Sequence, residues 1–184
     1  MGSGQWAVLL YGALVPTHVA LLRGINLGPN KRVAMPALRE LAESLGYDEV
    51  STYIASGNLL FSTRKKDTGK IARELERAID KELGVSCRVA VLTRDELAKA
   101  IDKNPFPKEK NPKAVHASFL LDDPPKDAVT RDGSDETKVV GKVLYLHTPD
   151  GYGRSDLAAK TMRKVPGTAR NWGTVTKLLE LLDA

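Results

Sequence analysis

The sequence predicts an α+β protein: an N-terminal ferredoxin-like βαββαβ lobe, then a smaller C-terminal α+β lobe that ends in two helices. Three observations carry this. From residue 18 to 92, apolar residues at helical spacing alternate with short β-rich runs in the order strand, helix, strand, strand, helix, strand. A basic, Pro-bearing segment over 105–113 interrupts the pattern and reads as a linker. Beyond it, three further β-rich runs precede two segments with helical periodicity. The expected organisation is a tail over 1–17, a ferredoxin-like lobe over 18–104, the linker, and a second lobe over 114–184.

His18–Leu22 is an apolar run, and the Gly24, Asn26, Gly28, Pro29 and Asn30 that follow can only be loop, so a strand ends there. Leu38, Leu41, Ala42 and Leu45 fall at i, i+3, i+4 and i+7. With Pro36 in the first turn and Gly46 where a left-handed cap is needed, they form an amphipathic helix. Residues 50–54 and 59–62 are β-rich runs around Ala55-Ser56-Gly57-Asn58, whose Gly-Asn pair suits a tight hairpin. Thr68 is expected to cap a second helix in which Ile71, Leu75, Ala78, Ile79 and Leu83 share a face until Gly84. Residues 87–92 complete the sheet, and Thr93 with Glu96 makes a capping box that opens a short helix through Leu97 and Ile101.

In the second lobe, residues 115–121 read as a strand and 122–135 as a polar excursion. Residues 138–140 and Val143–His147 read as two strands around a Gly141-Lys142 turn. A helix is expected from about Asp156 to Lys164, then a break at Pro166-Gly167. The last helix carries Val175, Leu178, Leu179 and Leu182 as its buried stripe.

Composition excludes several classes. A single cysteine, Cys87, rules out an intrachain disulfide and a thiolate-rich metal site, and it fits a reducing compartment. The longest apolar stretch, residues 7–15, is broken by Tyr11 and Gly12 and is too short to span a bilayer. No Lys or Arg precedes it, as a signal peptide would require, so a cytoplasmic protein is expected. Met1-Gly2-Ser3-Gly4 reads as a cloning scar. His18, His116 and His147 have no second histidine, cysteine or carboxylate at metal-ligand spacing, so neither a metal nor a cofactor is expected. Phosphate-loop and dinucleotide fingerprints are incomplete: Gly151-Tyr152-Gly153 lacks the third glycine of Gly-x-Gly-x-x-Gly. Tyr53 and Phe61 are the sole aromatics placed to stack bases on the first sheet, and core packing accounts better for Phe61.

The formal net charge is +5. Residues 154–177 hold six cations (Arg154, Lys160, Arg163, Lys164, Arg170, Lys177) and one acid (Asp156), so the whole excess is local to this segment. Two helices start there, near Ser155 and Asn171, each with an arginine directly before its cap. Free N–H groups at a helix start favour anions. If the starts converge, Arg154, Ser155, Thr168, Arg170 and Asn171 bind one phosphate, carboxylate or sulfate; the alternative is that Ser155 and Asn171 only cap. The first loop supplies Arg23, Asn26 and Lys31, and the hairpin supplies Ser56 and Asn58. Those loops are expected to line one groove between the lobes with the 154–171 segment.

Val19-Ala20-Leu21-Leu22-Arg23-Gly24-Ile25-Asn26, Tyr53-Ile54-Ala55-Ser56-Gly57-Asn58, Asn104-Pro105-Phe106, Gly153-Arg154-Ser155 and Thr168-Ala169-Arg170-Asn171-Trp172-Gly173-Thr174-Val175 resemble the bacterial domain of unknown function 1697 family. The resemblance runs from about residue 18 to 182 and implies the same two-lobed α+β fold, without implying an activity. The functional expectation from the residues is a module that binds a phosphate-bearing ligand, nucleic acid or nucleotide, through its Arg and Asn loops. The rivals are an enzyme in which Arg23, Arg154 and Arg170 position a small anion for Asp156 or Tyr53, and a protein-interaction module.

Overall fold

The computed structural model describes residues 15–124 and 131–184. The chain order is β1 (His18–Leu22), α1 (Met35–Ser44), β2 (Asp48–Tyr53), β3 (Asn58–Ser62), α2 (Thr68–Leu83), β4 (Val89–Thr93), α3 (Arg94–Asp102), β5 (Val115–Leu120), β6 (Arg131–Asp132), β7 (Asp135–Val140), β8 (Val143–His147), α4 (Asp156–Lys164), β9 (Gly167–Asn171) and α5 (Trp172–Leu182). The expected tail lies outside the described residues except for 15–17, as does the 125–130 part of the polar excursion.

The first sheet has the order β2-β3-β1-β4 and is antiparallel throughout, which is the ferredoxin-like topology read from the sequence. Its central strand β1 is buried on both faces. Ala20 and Leu22 point to one side, into a core with Leu59, Phe61 and the stripes of α1 and α2. Val19 and Leu21 point to the other side, into a second core shared with the C-terminal lobe. A strand covered on both faces must be apolar at every position, and residues 18–22 are written that way.

The second sheet has the order β6-β7-β8-β5-β9. Its Ala117, Phe119, Val143 and Tyr145 meet the back of the first sheet and, with Leu97 of α3 and Val175 and Leu178 of α5, form the middle layer. Its other face, carrying Leu120, Leu144 and Leu146, packs on Ala158 of α4 and on Val165. The layers therefore run α1/α2, first sheet, shared core with α3 and α5, second sheet, α4.

Four local readings are corrected. Gly167–Asn171 is a strand, β9, where a break was expected: Gly, Thr, Ala, Arg and Asn give no apolar alternation, and pairing with β5 makes the strand. Two-residue β6, pairing with β7, was not foreseen. The cap of α2 is Asp67, whose carboxylate accepts from the Lys70 N–H, with Thr68 the first helical residue. Cys87 lies in the loop before β4, half-buried, where burial pushes its thiol up to about 11.

Candidate functional site

The hairpin turn and β9 meet at one point. Arg170 is 9 % exposed, and all its donors are taken. Its Nε donates to Asn58 Oδ1 at 2.6 Å. Nη1 donates to Thr168 Oγ1 and the Ala169 carbonyl, and Nη2 to the Leu22, Ser56 and Gly57 carbonyls. Asn58, fully buried, donates to the Tyr53 carbonyl and to Ser56 Oγ. The structure thus gathers Ser56, Asn58, Thr168 and Arg170, and their hydrogen bonds are spent on one another and on backbone. Burial pushes the Arg170 guanidinium down to about 10, so it stays charged at neutral pH, neutralised by carbonyl dipoles rather than by a carboxylate.

Asn26 closes its own loop. Its side chain accepts from the Val33 N–H and donates to the Val33 and Ala55 carbonyls, with its backbone in the left-handed region. Arg23 and Lys31 face a hollow beside α2 with Arg77, Asp80 and Cys87. Arg23 therefore opens on the α2 side while Arg170 is sealed between the lobes, and the two share no groove.

The two helix starts do not converge. Ser155 caps α4 through the Ala158 N–H and donates to Asp135 Oδ2 at 2.6 Å. Asn171 caps α5 through the Thr174 N–H. These helices pack on opposite faces of the second sheet, so the capping residues are held apart by it. The charge excess is split in the same way. Arg154, Lys160, Arg163 and Lys164 are exposed in and just before α4, Arg170 is interior, and Lys177 pairs with Glu180.

Between the lobes lies a cleft of about 720 Å³ that the sequence did not announce. One wall is the edge strand β4; the other is the β5 end and the β7–β8 turn, with Val91, Leu92, Leu121 and Val140 half-buried along it. Its carboxylates brace β4: Glu76 Oε1 accepts from the Val89 N–H and Glu96 Oε2 from the Thr93 N–H, both at 2.8 Å, and Glu76 also lies 3.7 Å from Arg88 Nε. Arg88 is paired with Glu76 and Asp122, and the other cations of the cleft are not committed. Among the described residues, Arg73, Lys99, Lys103 and Lys142 form no ion pair, and all four are exposed at the rim. Arg88 spans the mouth, its Nη2 3.4 Å from both the Asp122 carboxylate and the Leu121 carbonyl. Lys99 and Lys103 stand one turn apart at the end of α3, a spacing visible in the sequence. Their approach to Lys142 comes only from the packing of the lobes.

The remaining titratable groups are structural. His116 stacks on Tyr152 with ring centroids 4.1 Å apart, and burial pushes it down to about 4. His18 stacks on Phe61 and is lowered by the same cause. His147 meets Glu109 at 2.8 Å, a carboxylate 38 residues away that local spacing does not reveal. The Asn111 N–H, then His147, hold that carboxyl below its usual range. Asp156 is exposed in the first turn of α4, and Tyr53 packs half-buried against the middle core. Among the described residues, no group of three His, Cys, Asp or Glu is placed to hold a metal ion, and no helix is long and apolar enough to cross a membrane.

A family model described as protein of unknown function (DUF1697) matches residues 15–145. The conserved bacterial protein SP0830 from Streptococcus pneumoniae has a similar structure, with a TM-score of 0.75 at 20% identity over 91% of this chain and 98% of that one. At that identity the likeness concerns the fold. No curated protein matches the sequence. The chain belongs to the DUF1697 family.

Proposed function

We propose that this DUF1697-family protein binds a small phosphate-bearing ligand in the cleft between its lobes. One observation carries the reading: Arg73, Lys99, Lys103 and Lys142 stand at the rim of the cleft and, among the described residues, none of them forms an ion pair. Burying or lining a site with unpaired cations favours an anion arriving from solution. The volume, about 720 Å³, is that of a small-molecule pocket and suits a nucleotide-sized ligand better than a nucleic-acid strand. The Arg and Asn loops act in this reading as the ties that fix the lobes, not as ligand contacts. The single cysteine supports a cytoplasmic setting.

A nucleic-acid reading has its own observation, the exposed Arg154, Lys160, Arg163 and Lys164 around α4, which form no ion pair among the described residues. The two separate by experiment. Thermal shift with phosphorylated metabolites, nucleotides and short oligonucleotides should show stabilisation by a small phosphate compound, since a native-state ligand raises stability by mass action. The Lys99→Ala/Lys103→Ala double variant should weaken it at least about tenfold, for the loss of two charge-assisted contacts. Oligonucleotide binding with a steep salt dependence, lost in a Lys160→Ala/Arg163→Ala/Lys164→Ala variant and kept in the Lys99/Lys103 variant, would replace the cleft reading with the α4 one.

A further inference from the structure

We infer that the ligand of the cleft is a single-chain aliphatic phosphate, a hydrocarbon tail of several methylenes ending in a phosphate monoester; this rests on the phosphate-ligand reading above.

The walls decide the tail. Val91 and Leu92, on the two faces of the β4 edge, and Leu121 and Val140 across from them are half-buried aliphatic residues that line the cleft. The two aromatic rings that touch it offer no face: Phe119 is 3 % exposed and Tyr145 is fully buried, its hydroxyl donating to the Ala100 carbonyl at the end of α3. A nucleobase gains most from an open aromatic ring to stack on, which neither ring supplies among the described residues, whereas a methylene chain needs only apolar wall. The lysine stems at the rim add to that wall while their ammonium groups stay at the mouth.

A peptide is the other elongated occupant to weigh, because β4 is an edge strand and edges accept added strands. The edge is blocked at both ends. The Val89 and Thr93 N–H groups, which an incoming strand would need, already donate to Glu76 and Glu96. Pairing would have to displace two carboxylates into a site where they then face the ligand's own acceptors. Charge points the same way: Arg73, Lys99, Lys103 and Lys142, which form no ion pair among the described residues, outnumber Glu76 and Glu96 and suit a compact anionic head.

The test is calorimetric titration of the full chain with n-butyl, n-hexyl and n-octyl phosphate below their micellar concentrations, beside inorganic phosphate, adenosine monophosphate and n-hexanol. Affinity is expected to rise up to about fourfold per added methylene, the value for full transfer of a CH₂ out of water. Adenosine monophosphate should bind more weakly than hexyl phosphate. The Lys99→Ala/Lys103→Ala variant should lower all alkyl phosphates together, while Val91→Ser should flatten the chain-length slope. Adenosine monophosphate binding as tightly as octyl phosphate, with no slope, would overturn the aliphatic tail and leave the phosphate reading standing. Hexanol binding as tightly as hexyl phosphate would overturn the phosphate reading, and so would the absence of binding by every phosphate tested.

Discussion

The guanidinium Nε of Arg170 donates to Asn58 Oδ1 at 2.6 Å across 112 residues of chain. That bond joins the last strand of the second sheet to the hairpin of the first, and both partners are buried. Arg170→Ala removes the donors of four carbonyls and two side-chain oxygens at once. It should destabilise the protein by about 3 kcal/mol or more, since each buried acceptor left alone costs about 1–3 kcal/mol. Arg170→Lys should recover little, because three donors on a point charge cannot replace a planar fork of five. Urea denaturation measures both, and a lysine variant of wild-type stability would contradict the clamp.

Gly57 has a φ of +82°, and a Cβ there would sit 2.8 Å from Ile25 Cδ1 and 2.9 Å from Leu22 Cβ. Gly57→Ala combines left-handed strain with a clash in a packed core, and it should cost about 2–4 kcal/mol. Gly141, at +61° with nothing within 4 Å, has only the strain. Gly141→Ala should cost about 1 kcal/mol. Equal losses in a denaturation series would show that the hairpin turn is not pressed against the core.

His116 is held neutral by burial, down to about 4 in the fold. The unfolded chain takes up its proton near 6.5, so between pH 6.5 and 4 the unfolded state binds more protons and stability falls as pH falls. The loss is complete near pH 4 and amounts to about 3 kcal/mol. His116→Phe keeps a ring against Tyr152 and cannot titrate. Urea midpoints at pH 7 and pH 4.5 should therefore drop less in the variant than in the parent, and parallel drops would refute the assignment.

Ser155→Ala and Asn171→Ala each remove a helix cap and should each cost about 1 kcal/mol. Because the second sheet separates α4 from α5, the double variant should lose the sum of the two. Added phosphate should shift the melting temperatures of parent and double variant equally. A coupled loss, or a phosphate shift that vanishes in the double variant, would restore a shared anion site at the two helix starts.

Much of this fold is legible in the sequence because local rules and tertiary packing agree. The stripe of α2, the capping box at Thr93 and Glu96, the hairpin around Gly57 and the β7–β8 turn at Gly141 all fall where pattern and turn chemistry put them. The candidate site divides differently. Polar residues such as Ser56, Asn58, Thr168 and Arg170 are recognisable as unusual, and they do come together. Their partners are backbone carbonyls, though, and a carbonyl leaves no mark on the sequence, so an internal clamp looks the same as a ligand site. Lys99, Lys103 and Lys142 carry no mark either, since exposed lysines are ordinary at any one position.

The sequence by itself determined the element order, the β2–β3 hairpin and the apolar writing of β1, because these follow from periodicity, capping and turn chemistry acting over a few residues. Tertiary structure alone decided what the polar residues do. Whether a cation is spent or free depends on which carbonyls and carboxylates the packing of two lobes brings within about 3 Å of it. That packing buried Arg170 among six acceptors and left Arg73, Lys99, Lys103 and Lys142 facing an open cleft.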